Sequence, residues 1–135
     1  MRFADTNVLL YAISTVADER PKQQQALAIL EDERLVVSVQ VLQEFYVEAT
    51  HRARADRLTH TQAVALIESW LRYRVQEGSV GLLRDALASA ARWKLSYWDA
   101  AIVEAAREAG CTTLLSEDLQ DGADFAGVRV VNPFR

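Results

Sequence analysis

Four acidic residues occupy positions at which a carboxylate could take part in chemistry. Asp5 ends a short β-rich run at the N-terminus, and Asp118 follows another such run near the C-terminus. Asp99 and Glu44 lie among apolar residues on segments with helical periodicity, and a buried acid is uncommon unless it is paired or bound to a metal. If the four side chains converge, they repel one another, and a divalent cation removes that penalty. Carboxylate oxygens are hard ligands that suit Mg²⁺ or Mn²⁺.

A carboxylate site that holds such a cation could activate a water molecule and bind a phosphoryl group. The charge of the chain fits a local acidic site. The sequence has 19 acidic and 15 basic residues and a net charge of −4, so the two numbers become equal once these four acids are set aside. An acidic total argues against a protein that binds nucleic acid by bulk charge.

Each of the four acids also has a simpler structural interpretation. Asp5 could cap the turn that follows it, and Asp118 could begin a turn or a helix. Asp99 could be the third residue of a capping box that opens at Ser96. Glu44 could extend its carboxylate into solvent. Periodicity by itself does not decide whether the four side chains meet.

Short β-rich runs alternate with longer helical ones, without a repeat or a linker. Strands separated by helices predict a parallel sheet covered on both faces, with ligands at the carboxyl ends of the strands. The predicted strands are Arg2–Asp5, Leu35–Ser38, Val80–Leu83, Cys111–Ser116 and Val128–Val131. The predicted helices are Val8–Ile13, Arg20–Glu33, Ser38–Arg52, one that opens at Thr59 or His60, Asp85–Lys94, and Ser96–Ala109 with Gly110 as its left-handed end.

Length and composition favour one globular domain over residues 1–135, with 50% hydrophobic and 25% charged residues. This balance excludes a disordered tail, a collagen and a small disulfide-rich scaffold. Cys111 is the only cysteine and cannot form an internal disulfide, which fits a reducing compartment. No apolar run approaches the roughly 20 residues of a membrane helix, and Asp5 comes too early for a signal peptide. We therefore expect a cytoplasmic protein.

The residues around the four acids resemble the motifs of the PIN-domain family. The resemblance covers the whole chain, and four motifs in the same order are specific even though each one is weak. The closest branch is the VapC-like toxins of bacterial toxin–antitoxin pairs. The matching segments are Asp5–Ala12, Ser38–Tyr46, Ser96–Ile102 and Leu114–Leu119, together with the tail Val131–Phe134.

This resemblance implies a three-layer α/β/α sandwich with a central parallel sheet and a metal-dependent endoribonuclease activity. It implies Mg²⁺ or Mn²⁺ as cofactor, an RNA substrate, an antitoxin partner and a homodimer. Because the fourth motif varies in the family, Glu117 and Asp121 are alternatives to the acid assigned there. The implied catalytic and metal-binding residues are Asp5, Glu44, Asp99 and Asp118, with Thr6, Asn7 and Ser116 supporting them by hydrogen bonds.

The candidates for holding RNA are basic residues in short stretches. Arg52 and Arg54 belong to a stretch that follows the Glu44 helix, and Arg92 precedes the third motif. For any single one of these arginines, a solvated helix face or a helix end is at least as good an interpretation. Core or surface positions are predicted for the tryptophans and histidines, with Trp70, Trp93 and Trp98 in the core or an interface and His51 and His60 on the surface.

Two other classes of function compete with a nuclease. The first is a PIN-like domain that serves only as a binding or assembly module, which would not need to keep the four acids. The second is a phosphatase or a phosphoacceptor receiver domain. A phosphatase needs a second aspartate where Asn7 stands, and a receiver needs a lysine after a late strand, whereas Lys94 precedes a helix.

Overall fold

A computed structural model describes all 135 residues, and its centre is a six-stranded sheet of strand order β3-β2-β1-β4-β6-β5. Phe3 on β1 is in register with Val36 on β2 and Leu114 on β4, and all three are fully buried. The strands are β1 (Arg2–Ala4), β2 (Val36–Ser38), β3 (Arg74–Gln76), β4 (Thr113–Leu115), β5 (Asp124–Phe125) and β6 (Val128–Val131).

Six α-helices form two groups around this sheet. In one group the first helix packs against the second and third, and the third packs against the fourth; in the other, the fifth packs against the sixth. None of them combines the length and apolarity needed to cross a membrane. The helices are α1 (Thr6–Ala12), α2 (Arg20–Leu30), α3 (Val39–Ala49), α4 (His60–Trp70), α5 (Val80–Trp93) and α6 (Tyr97–Glu108), with a 3₁₀ turn at Ala17–Glu19.

The third strand is not where the sequence predicted it. Val80–Leu83 is the first turn of α5, and the Ser79 hydroxyl caps that helix by accepting the amide of Leu82 at 3.0 Å. The actual third strand, Arg74–Gln76, pairs only with β2 at the edge of the sheet. An edge strand of three residues does not need an apolar sequence. The apolar run Val80–Leu83, which comes after it, therefore resembled a strand more closely than the actual strand did.

The sheet is mixed, so the prediction of a wholly parallel sheet is wrong for one strand. β5 runs antiparallel to β6, and a two-residue turn joins them. Ala126 and Gly127 both have positive φ, of 52° and 98°, as a hairpin of this length with a right-handed twist requires. The other strand pairs are all parallel, so the α/β class is confirmed.

The tryptophans divide between core and surface. Trp70 is buried and packs edge-to-face on Phe45, and Trp93 is half-buried against Phe125. Trp98 is 63% exposed, which excludes the core for this residue, and the predicted alternative of an interface position stays a prediction. His51 and His60 lie on the surface as predicted.

A buried acid holds the second helix group to the edge of the sheet. Glu104 on α6 accepts the Ser89 hydroxyl of α5 at 2.7 Å and the Arg107 Nε at 2.9 Å. The two terminal amino groups of Arg107 then donate to the backbone carbonyls of Phe125 and Ala126 at 2.6 Å. Arg107 therefore neutralises the buried carboxylate of Glu104 and also provides hydrogen-bond donors for two carbonyl groups of the β5–β6 hairpin.

Replacement of this arginine should destabilise the fold. Arg107→Ala leaves the Glu104 charge buried without its partner, and we expect a loss of about 2–4 kcal/mol, moderated because Arg107 is one-third exposed. Urea denaturation measures the change. Arg84→Ala, an exposed arginine of α5, is the matched control and should stay within about 0.5 kcal/mol. Equal stability of the two variants would contradict the role given to Arg107.

Candidate active site

Asp5 lies at the carboxyl end of β1, between the two strands that flank it in the centre of the sheet. Its carboxylate accepts the Thr6 amide at 2.7 Å and thereby caps α1. Its other oxygen accepts the Ser116 hydroxyl at 2.8 Å, just beyond the end of β4. The side chain is only 6% exposed. Asp5 therefore is a helix cap and also a buried acid, so the two interpretations of this residue are compatible.

The surroundings of Asp5 favour its protonated form. Burial raises the pKa of Asp5 to about 6, and the nearby carboxylates of Asp118 and Glu44 add to that shift. The hydrogen bonds from Ser116 and the Thr6 amide oppose it. A carboxyl with a pKa close to neutrality can exchange a proton under ordinary conditions.

Glu44 reaches the same edge of the sheet from α3, which follows β2 directly. Ser38 caps this helix by accepting the amide of Val41 at 3.2 Å. One carboxylate oxygen of Glu44 accepts the Thr6 hydroxyl and the other accepts Gln40 Nε2, each at 2.8 Å. Gln40 also donates to the backbone carbonyl of Trp98 at 3.2 Å. Glu44 is therefore fixed in orientation and linked to the first turn of α6.

Asp118 follows β4 and is held by the amide side chain of Asn7, whose Nδ2 donates to it at 3.2 Å. The Asn7 carbonyl oxygen accepts the backbone amide of Glu117 at 3.3 Å. Ser116 accepts the amides of Asp118 and Leu119 at 3.2 and 3.3 Å. Asn7 and Ser116 thus shape the loop that carries Asp118.

Asp99 stands in the first turn of α6 and is half-buried. The Ser96 hydroxyl caps the helix by accepting the Asp99 amide at 3.1 Å. Burial raises the pKa of Asp99, and the carboxylates of Asp118 and Glu44 raise it further. The four acids from four separate segments therefore share one electrostatic neighbourhood at the carboxyl edge of the sheet.

The alternatives to Asp118 make other contacts. Glu117 accepts the Tyr11 hydroxyl at 2.9 Å and pairs with Lys22 at 3.3 Å. Asp121 accepts the Asn132 amide at 2.8 Å and pairs with a C-terminal arginine. Of the three acids in this segment, only Asp118 borders the cavity described next.

A cavity of about 260 Å³ opens beside these acids. Four of its lining residues were not among the predicted site residues: Leu10, Tyr11, Glu19 and Glu48. Glu48 lies one helical turn after Glu44 on α3, and the i, i+4 spacing could have revealed it. Burial, Glu44 and Asp118 raise the pKa of Glu48, while Arg54 opposes the shift. The cavity is lined by Thr6, Asn7, Leu10, Tyr11, Glu19, Glu44, Glu48, Arg54 and Asp118.

The three arginines predicted to hold RNA are separated by the structure. Arg54 lines the acidic cavity. Arg52 is exposed on the same loop but does not line the cavity. Arg92 stacks on the Trp93 ring, 4.6 Å from its centroid, and does not line the cavity either. Exposed Trp98 lines a neighbouring cavity of about 360 Å³ that also contains Glu44 and Glu48.

The chemistry of the donor set fits a divalent cation. All four acids offer hard carboxylate oxygens. Burial raises the pKa of Asp5 and Asp99, and repulsion by Asp118 and Glu44 adds to the shift. In this structure no three acidic, histidine or cysteine side chains converge closely enough to hold a metal ion. Of the four acids, Glu44 and Asp118 line the cavity and Asp5 and Asp99 do not.

Comparison with known proteins identifies the fold independently. No curated protein matches the chain in sequence. Among solved structures, VapC20 of Mycobacterium tuberculosis, described as a sarcin-ricin loop cleaving toxin, is 20% identical with a TM-score of 0.69 over 87% of this chain and 92% of that one. A toxin–antitoxin complex from Klebsiella pneumoniae is 21% identical, with a TM-score of 0.70 over 98% of both chains.

A third similar structure is VapBC2 from Rickettsia felis, bound to a DNA fragment from its promoter. It is 15% identical, with a TM-score of 0.64 over 96% of both chains. At these identities the likeness concerns the fold. The sequence itself matches the family model of the PIN domain over residues 2–125, which is nearly the whole chain and agrees with the motifs around the four acids. The chain therefore belongs to the PIN domain family.

Proposed function

We propose that this protein is a metal-dependent endoribonuclease and the toxin of a VapBC-type toxin–antitoxin pair. The observation that carries the proposal is the set of four acids, Asp5, Glu44, Asp99 and Asp118, on four segments at one edge of the sheet. The supporting residues Thr6, Asn7 and Ser116 each donate a hydrogen bond to one of these acids. The similar VapC20 structure, described as cleaving the sarcin-ricin loop, agrees with RNA as the substrate class.

The four acids would hold Mg²⁺ or Mn²⁺. Such an ion, when bound, lowers the pKa of water and neutralises the charge that develops on phosphorus-bound oxygens. The protein supplies orientation. Thr6 and Gln40 fix the carboxylate of Glu44, and Asn7 fixes that of Asp118. Side chains that are held before the substrate arrives lose less entropy in the reaction.

Asp5 supplies a buried carboxyl group that can hold or release a proton. With a pKa of about 6 it is partly protonated near neutral pH, and Ser116 stays bonded to it in either state because a hydroxyl both donates and accepts. A nearby cation would favour the ionised form. One of the four carboxylates would then assist removal of a proton from the attacking water.

The proposal includes partners. Similar structures include toxin–antitoxin complexes, so we propose an antitoxin that inhibits this chain and a homodimer as its assembly. An apolar surface for a partner exists between α3 and α4, where Val47 is 60% and Leu71 is 47% exposed beside a cavity of about 600 Å³. A cytoplasmic location remains a prediction.

Removal of one carboxylate should abolish cleavage. We expect Asp99→Asn to lower the rate roughly 100-fold or more, because metal chemistry of this kind contributes several kcal/mol to the barrier. The assay uses a panel of single-stranded and transfer RNAs with Mn²⁺ or Mg²⁺, and with chelator, which should stop cleavage. Asp85→Asn, an exposed acid of α5, is the matched control prepared in the same way.

The outcomes separate the two leading functions. Metal-dependent cleavage that is lost only in Asp99→Asn supports the nuclease. A folded, antitoxin-free protein that cleaves no RNA in the panel favours the non-catalytic binding module. Cleavage that persists in Asp99→Asn would show a contaminating nuclease or a wrong assignment of Asp99.

The ionisation of Asp5 should make the metal-free fold less stable as the pH rises. The folded pKa of about 6 lies above the ordinary value of 3.8, so the stabilisation is complete below pH 3.8 and is lost as the pH rises through about 6. We expect the stability of Asp5→Asn, relative to the original chain, to rise by about 2 kcal/mol between pH 4 and pH 7.5. Urea denaturation in the presence of chelator measures it.

The control for this experiment is Asp85→Asn, whose relative stability should not vary with pH in this way. A constant difference between Asp5→Asn and the original chain across this pH range would mean that burial does not control the ionisation of Asp5.

A further inference from the structure

Arg54 differs from the other arginines of the chain in its position. It is the only cationic side chain that lines the acidic cavity, where it faces carboxylates that include Glu44, Glu48 and Asp118. Its side chain is 22% exposed, whereas Arg52 and Arg57 on the same loop are open to solvent. An arginine is always charged, so this group places a permanent positive charge among the acids.

The guanidinium of Arg54 is paired with a carboxylate at one side only. Its Nε lies 2.9 Å from Asp56 Oδ1 in an ion pair, but this buried N–H makes no hydrogen bond. The two terminal amino groups make no hydrogen bond within the chain, although they carry four of the five N–H donors. A guanidinium presents these donors as a planar fork that matches two oxygens of a phosphate. The unused side of Arg54 is thus suited to an anion with paired oxygens.

Asp56 is itself fixed by a second element. Its Oδ2 accepts the backbone amide of Thr15 at 2.9 Å and the Thr15 hydroxyl at 3.3 Å. These bonds lower the pKa of Asp56, with Arg54 adding to the effect, so the carboxylate stays ionised. Thr15 belongs to the connection between α1 and α2. Asp56 therefore links the loop that carries Arg54 to the connection that follows α1.

The loop that carries Arg54 is closed at its base. The Leu58 amide donates to the Ala49 carbonyl at 2.8 Å, directly after α3 ends, and Leu58 packs against the core. Within the loop, the Arg54 amide donates to the His51 carbonyl at 3.0 Å. A loop that is bonded at its base and across its turn can hold a side chain in a constant position.

A phosphate needs a positively charged group on the wall of this acidic cavity in order to enter it. Carboxylates repel the RNA backbone, and a cation bound to the acids neutralises only the charge next to it. Arg54 adds a second positive centre, on the wall of the cavity that the acids of β1 and β4 do not form. The exposed Arg52 and Arg57 carry further positive charge on the same loop. The chain is acidic overall, so this local charge is what can guide a nucleic acid to the acids.

We infer that Arg54 binds a phosphate of the RNA backbone beside the cleaved bond, and that Asp56 is a positioning residue that aims the Arg54 fork into the cavity. The inference rests on the proposed function. It assigns Arg54 a role in the site that Arg52 and Arg92 do not share, and it gives Asp56 a role through Arg54 alone.

The first test compares cleavage by single variants under identical metal conditions. Arg54→Ala should lower kcat/KM roughly 10- to 100-fold, as expected for loss of hydrogen bonds to a charged group. The rate should also become less sensitive to salt. The slope of log(kcat/KM) against log[salt] should become shallower by about 0.7, which corresponds to one phosphate contact on a single strand. Arg54→Lys keeps the charge without the fork, so it should keep the slope and lose part of the rate. Arg84→Ala on α5 is the matched control for charge.

The second test isolates Asp56. Asp56→Asn keeps an acceptor for Thr15 and loses the charge that holds Arg54, so kcat/KM should fall several-fold. The double variant Arg54→Ala with Asp56→Asn should be no slower than Arg54→Ala alone. Losses that multiply in the double variant would overturn the positioning role. Thermal unfolding of every variant shows whether a loss of activity is a loss of folded protein.

Binding measurements separate this inference from the proposed function. Fluorescence anisotropy of labelled transfer RNA and single-stranded RNA uses Asp99→Asn protein, which should bind without cleaving. The double variant Asp99→Asn with Arg54→Ala should bind RNA more weakly, and its affinity should depend less steeply on salt concentration. If the original chain cleaves RNA and Arg54→Ala changes neither rate nor slope, the inference fails alone and Arg54 is only a counterion for Glu48. If no RNA is bound or cleaved, the proposed function fails, and the inference fails with it.

Discussion

The burial of one carboxylate at the end of the central strand is the constraint on which the site depends. Asp5 sits where β1 ends between β2 and β4, and its backbone amide donates to the carbonyl of Leu115 at 3.0 Å. The acid can remain there only because the first amide of α1 and the hydroxyl of Ser116 point at it. The same two bonds fix the start of α1 and the end of β4. The position of Thr6 and Asn7, and through them of Glu44 and Asp118, follows from that geometry.

The burial of the Asp5 carboxyl lowers the stability of the metal-free fold and keeps an acid where a cation could bind. A carboxyl whose pKa is raised to about 6 weakens the metal-free fold at neutral pH, and the carboxylates of Glu44 and Asp118 increase the effect. An apolar residue in place of Asp5 would remove this cost, but it would also remove the charge that a cation needs. Strain of this kind is typical of a site that is completed by a bound ion. The buried Glu104 of α6 is a contrast, since Arg107 neutralises it fully within the chain.

Most of the fold could be predicted from the sequence because the core strands and helices follow strong local patterns. β1, β2, β4 and β6 lie within one or two residues of their predicted bounds. The failures concern elements whose stability comes from distant contacts. β3 is a short edge strand that β2 defines, and β5 exists only because Ala126 and Gly127 turn it back on β6. Neither depends on a pattern that its own residues display.

The acids of the site could be predicted from the sequence, but residues that only tertiary packing brings to the site could not. The acids could be found because Asp5 and Asp118 follow strands and because Asp99 and Glu44 lie among apolar residues. Arg54 becomes a neighbour of Glu44 and Asp118 only through the loop after α3. Sequence spacing groups Arg54 with Arg52, whereas in the structure Arg54 lines the acidic cavity and Arg52 does not. Net charge misleads for the same reason. A total of −4 describes the whole surface, while recognition of a phosphate depends on where one guanidinium is held. The loop from Ala49 to Leu58 is therefore as much a part of the site as the strands that carry the acids.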